Sequence, residues 1–142
     1  MAIVEKNIFV NAMPDKIWRL AQDPNHWHTW FDGLRQPKSI QGDGSVGTVV
    51  ETGMTVANIP IPAKLTVVET VPGARWKGEF AGPLTEGHQL WLYEPAEGGT
   101  RLTLHMEANL SGPAKLAEGL VVSSFTQMVD KTLANIKTLA EA

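Results

Sequence analysis

The chain has four histidines, one tyrosine and no cysteine, and these few side chains bound the chemistry open to it. Imidazole titrates near neutrality, so His88 and His105 are the first candidates for moving protons. Both fall in strand-like segments, and strand phase decides where they point. Leu102 and Leu104 set a phase that turns His105 away from the core, and Trp91 and Tyr93 do the same for His88. A one-residue slip at a bulge would turn either histidine inward. Tyr93 is the third candidate, and no complete catalytic set is assigned.

Other motifs reduce to structure. His26 and His28 flank Trp27 as an HxH pair, but no cysteine or nearby histidine completes a ligand set. They read as surface histidines beside a buried tryptophan, and no metal or other cofactor is expected. Gly42-Asp43-Gly44-Ser45-Val46-Gly47 matches GxGxxG. A dinucleotide site needs a strand before that turn and a helix after it; here a strand follows, so the stretch reads as a loop. Ser123-Ser124 lacks the Gly-x-Ser-x-Gly context of a hydrolase nucleophile.

The apolar side chains say more. Trp27, Trp76, Phe80, Trp91, Tyr93 and Phe125 lie on segments that should converge, and Met54, Met106 and Met128 accompany them. Flat aromatics and pliable methionines suit an adaptable apolar pocket. Thr52, Gln89 and Tyr93 would add the few polar contacts that orient a ligand. These eleven residues are the candidate ligand-binding set. Trp18 and Trp30 read as core.

The elements that must position them follow from periodicity. Ile3 to Val10 reads as a strand. Met13-Pro14-Asp15 opens a short helix, since proline suits the first turn and Asp15 the helix dipole. Asp23-Pro24 ends it, and Asn25 to Phe31 forms a second helical piece. Strands follow over Val46 to Val56, Ala63 to Val71, Arg75 to Phe80, His88 to Tyr93 and Thr100 to Leu110. Ile59-Pro60-Ile61-Pro62 and Glu94 to Gly99 read as turns or loops. From Gly112-Pro113 a single helix runs to about Leu139, roughly 40 Å long, with Gly119 as a point where it could bend.

This is a single α+β domain. A curved antiparallel sheet of six or seven strands needs a cover for its apolar face, and only the C-terminal helix is long enough. A straight rod cannot fill a concave sheet, so space should remain between them, stoppered by the two short helices. An empty apolar cavity of about 300 Å³ would cost on the order of 7 kcal/mol, comparable with total stability. Such a space is kept for function.

The order of elements resembles the helix-grip superfamily of START-like, Bet v 1-like and polyketide cyclase/dehydratase-type proteins (SRPBCC). The stretches that carry the resemblance are Met13 to Trp18, Asp23 to Trp30, Val46-Gly47-Thr48, Gly99 to Thr103 and Asn135-Ile136-Lys137. It spans the whole chain and implies a sheet gripping the last helix around a hydrophobic cavity. It implies roles from lipid or polyketide carriage to ring closure and dehydration, with no shared catalytic set.

Charge narrows the partners. Net charge is −3 and the pI near 5.8, which argues against nucleic acid and against docking on anionic membrane. No apolar run reaches the roughly 20 residues that span a bilayer. Absence of cysteine fits a cytoplasmic location. The expected partner is a small hydrophobic molecule held between sheet and C-terminal helix, with a homodimer possible. A cyclase- or dehydratase-type enzyme is the alternative, and a protein-interaction module using the outer face near Leu90 and Leu92 is the third reading.

Overall fold

The computed structural model describes all 142 residues. Strand β1 (Ala2–Val10) leads into helix α1 (Pro14–Ala21), a 3₁₀ turn (Pro24–His26) and helix α2 (Trp27–Trp30). Six strands follow: β2 (Ser39–Gln41), β3 (Val49–Val56), β4 (Ile59–Val71), β5 (Arg75–Ala81), β6 (Thr85–Ala96) and β7 (Gly99–Leu110). The chain closes with α3 (Pro113–Leu116) and α4 (Glu118–Glu141). All seven strands form one antiparallel sheet in the order β1-β7-β6-β5-β4-β3-β2. The α+β helix-grip architecture is therefore present.

Sheet order explains where the short helices sit. β1 and β2 are neighbours in sequence but lie at opposite edges of the sheet. The connection between them must cross the concave face, and α1 and α2 are that connection. Proline opens α1, and Asp23 caps the 3₁₀ turn by accepting from the Asn25 amide at 3.0 Å. These local stops break the crossing into short pieces that follow the curve.

Three expectations need correction, and one feature is additional. Ile59 to Pro62 is strand; the turn is Ala57-Asn58, both at positive φ. Such a pair makes the tight two-residue hairpin that matches strand twist. Pro60 and Pro62 are tolerated because β4 has no β5 partner before Lys64, so their missing amide protons leave that side of the ladder intact. Likewise Glu94 to Gly99 is not a six-residue loop. β6 and β7 pair up to Ala96↔Gly99, and Glu97-Gly98 alone makes the turn. β4 carries a bulge between Val67 and Glu69, which no alternation pattern showed. Finally, the C-terminal helix is not one rod. It breaks at Ala117, not at Gly119, and Ala117 lies outside helical geometry.

α4 packs chiefly along β1 and against α1, with lesser contacts to α2, β3 and β7. Val121, Phe125, Val129, Leu133 and Ile136 are buried beneath it, together with Val4, Leu102, Leu104 and Met106 from the sheet. This side of the concave face is filled with side chains. No helix is long and apolar enough to cross a membrane.

Candidate functional site

The free space lies elsewhere along the same face, under α1 and α2. It is a cavity of about 340 Å³, within the range typical of ligand pockets. Its roof is Trp18, Ala21 and Gln22 of the first helix and its end, with Trp27, Trp30, Phe31 and Leu34 around the second. Its floor is Thr52 of β3, Leu65 and Thr70 of β4, Trp76 of β5, and Gln89, Trp91 and Tyr93 of β6. Asp43, Gly44, Ser45 and Pro72 complete the wall; Asp43, Ser45 and Pro72 are exposed and, with Gln22, form its rim. No residue of α4 lines it. The expected cavity between sheet and C-terminal helix is thus displaced onto the short helices, because α4 docks at the β1 side and packs that half solid.

All five tryptophans of the chain line this space. They hold one another mostly edge to face: Trp27 to Trp76 at 5.6 Å and Trp30 to Trp91 at 5.7 Å, with Trp18 edge-on to Tyr93 at 5.4 Å. Such pairs contribute about 0.5–1.5 kcal/mol beyond area burial, so the wall is stiff before any ligand arrives. Gly78 makes room for it. A Cβ there would lie 2.6 Å from Cη2 of Trp76 and 3.2 Å from Leu65 Cδ2. The β4 bulge supplies another wall group, since it brings Thr70 opposite the inward-facing Trp76.

Polar groups in the cavity are few. The indole Nε1–H of Trp27 donates to the Ala21 carbonyl at 2.8 Å, and that of Trp91 to Gln89 Oε1 at 3.3 Å. The indole nitrogen of Trp30 is buried and has no partner. A buried unpaired donor costs about 1–3 kcal/mol. Burial raises the pKa of the Tyr93 phenol well above its ordinary value, with no neighbouring charge to offset the desolvation. Tyr93 therefore stays a neutral hydroxyl at physiological pH. Asp43 is the one charged lining residue; its pKa is lowered by hydrogen bonds from the Ser45 hydroxyl and amide, so it is an anion at the mouth.

The roof is pinned from behind. Thr132 Oγ1 of α4, fully buried, accepts from the Asp32 amide at 3.0 Å, and Asn135 Nδ2 donates to the Trp30 carbonyl at 3.0 Å. The helix thus positions α2 without touching the cavity. The GxGxxG stretch is a loop as expected, and its Asp43-Gly44-Ser45 tip forms the rim. Gly44 has φ +101°, and a Cβ on it would lie 2.8 Å from the Gln22 carbonyl oxygen.

The predicted site residues therefore divide. Trp27, Thr52, Trp76, Gln89, Trp91 and Tyr93 come together around the cavity. Met106, Phe125 and Met128 are sealed in the core beneath α4, Phe80 is buried in the same cluster, and Met54 packs partly exposed against it. Trp18 and Trp30, read as core, also line the cavity: Trp30 belongs to the buried core cluster and Trp18 packs partly buried against it. The loop tip, Thr70 and Phe31 carried no sequence signal of a site; Leu34 is placed by an isolated bridge to Met54. His88 and His105 lie on the outer face, as their strand phase indicated: each sits next to an inward residue, Gln89 and Met106. His26 is exposed, and His28 is half-buried with an unpartnered Nδ1.

Known structures give the same fold. The chain matches the protein TTHA0849 from Thermus thermophilus at 18% identity and a TM-score of 0.78, over 96% of this chain and 94% of that one. A truncated norcoclaurine synthase from Thalictrum flavum matches at 18% identity and 0.73, over 96% and 91%. The Aha1 dimer from Colwellia psychrerythraea matches at 16% and 0.69, over 99% and 97%. At these identities the likeness concerns the fold alone. A comparison with curated protein sequences gives no match. The family model described as polyketide cyclase / dehydrase and lipid transport matches residues 1–141, and the chain belongs to that family.

Proposed function

We propose that this protein binds a small, flat, largely apolar molecule in the tryptophan-walled cavity under α1 and α2. The observation that carries this reading is the convergence of all five tryptophans on one space of about 340 Å³. Aromatic walls match a ring system better than a flexible chain. Gln89 and Tyr93 in the lining support a ligand that carries a carbonyl or hydroxyl oxygen.

Binding or carriage is the reading preferred over catalysis. Proton-transfer catalysis works best with a group titrating near the operating pH. Tyr93 and Asp43 are the titratable groups of the lining, and their pKa values move away from neutrality in opposite directions. Native mass spectrometry of freshly purified protein tests the proposal. It predicts one small molecule per chain, displaced by N-phenyl-1-naphthylamine with quenching of tryptophan emission. Failure of that probe to bind the folded protein saturably would refute it.

A further inference from the structure

The opposite face of the sheet carries a second cluster. His88 on β6 pairs across the ladder with Glu107 on β7, and His105 on β7 pairs with Glu5 on β1. His88 Nε2 lies 2.9 Å from Glu107 Oε2, and His105 Nε2 lies 3.3 Å from the same oxygen. The donor atoms of the three residues all lie within 4.8 Å of one another. The two imidazoles stack, 26° apart in plane with centroids 6.0 Å apart. Strand phase in the sequence turns both histidines outward, but no ligand spacing joins them to Glu107, since the residues come from two strands.

We infer that His88, His105 and Glu107 form a binding site for a divalent transition-metal ion of the zinc class on the sheet's outer face. The donor spacing fits. Zinc bonds of about 2.0–2.2 Å at tetrahedral angles put neighbouring donors about 3.3–3.5 Å apart, a few tenths of an ångström from the two distances to Glu107 Oε2, and the two histidine donors lie within 4.8 Å of each other. Two imidazoles and one carboxylate select zinc-like ions over magnesium or calcium, which take oxygen donors. His105 also has a supporting partner. Its Nδ1 lies 3.0 Å from Glu5 Oε1. With the proton on Nδ1 donated to Glu5, Nε2 is left as a lone pair aimed at the site. That carboxylate–imidazole–metal relay is the arrangement that orients histidine ligands. The three ligands are half-buried, not sealed, so an ion can enter and solvent can fill the fourth position. The site is separate from the cavity, because successive strand residues face opposite sides and Gln89, next to His88, lines the cavity.

The test is equilibrium dialysis of tag-free protein against Zn²⁺, with metal content read by atomic emission and thermal midpoint followed in parallel. Uptake of one Zn²⁺ per chain with a raised midpoint, and none for Mg²⁺, is expected. His88→Ala, His105→Ala and Glu107→Ala should each abolish it, and Glu5→Gln should weaken it about 10–100-fold. A control pair, His26→Ala with His28→Ala, should bind like wild type. No stoichiometric uptake by wild type would overturn the inference and leave the cluster as histidine–carboxylate ion pairs. So would equal uptake by the His88→Ala and His105→Ala variants.

Discussion

Trp76 is half-buried against Trp27 at the cavity wall, whereas Phe125 is buried under α4 with no access to the cavity. Truncating them should therefore separate binding from stability. Phe125→Ala removes a packed core aromatic and should cost about 3–5 kcal/mol, measured by urea unfolding, while the folded variant binds N-phenyl-1-naphthylamine like wild type. Trp76→Ala should cost less stability than that and weaken the probe about tenfold, since one wall contact of about 1.4 kcal/mol is lost. Both residues belong to the ligand-binding set that the sequence suggests. Period-2 alternation and helical spacing say which side chains face inward, and both do. They do not say which part of the inner face the last helix occupies, and that alone separates wall from core.

At the scale of elements, α4 acts as the support of the roof. Thr132→Val keeps shape but leaves the Asp32 amide unpaired in a partly buried place, which costs about 1–3 kcal/mol. The variant should also lose affinity for the probe although Thr132 lies outside the cavity lining; unchanged affinity would show that α2 needs no anchor. The far end of the helix is tied to the segment just after β1. Glu141 accepts from the Asn11 amide at 2.8 Å and from Lys137 Nζ at 2.6 Å. Those bonds, the Asn11 amide first, hold its carboxyl below its ordinary value of 4.5. Its contribution is full above that ordinary value and is lost as pH falls through the lower folded one. The stability gap between wild type and Glu141→Gln should thus be constant near neutrality and close on acidification, as followed by thermal melts across pH. Elements themselves were largely legible, because alternation in β7 and apolar spacing in α4 are strong signals. The misreadings at Ile59 to Pro62, at Glu97-Gly98 and at the Ala117 break share one cause. Each is fixed by pairing partners or by backbone geometry at ordinary residues, and neither is visible in a single segment.

For the molecule as a whole, the decisive feature is that the strand order leaves β1 and β2 at opposite edges and forces their connection across the hollow. The two short helices, read from the sequence as stoppers, are the roof of the site. The electrostatics of the whole chain points the same way. Net charge is −3, the lining holds no cationic side chain, and Asp43 stands at the mouth. A sulfonated probe would be desolvated there without a counter-charge. 1-Anilinonaphthalene-8-sulfonate should therefore bind at least about tenfold more weakly than neutral N-phenyl-1-naphthylamine, in matched fluorescence titrations. The five indole N–H signals of ¹⁵N-labelled protein give the most direct test of the cavity itself. On titration with the neutral probe, all five should shift along one saturating curve with a single site per chain. Indole signals that stay in place at saturating probe would mean that the molecule binds elsewhere or not at all, and the cavity under the short helices would then be no binding site.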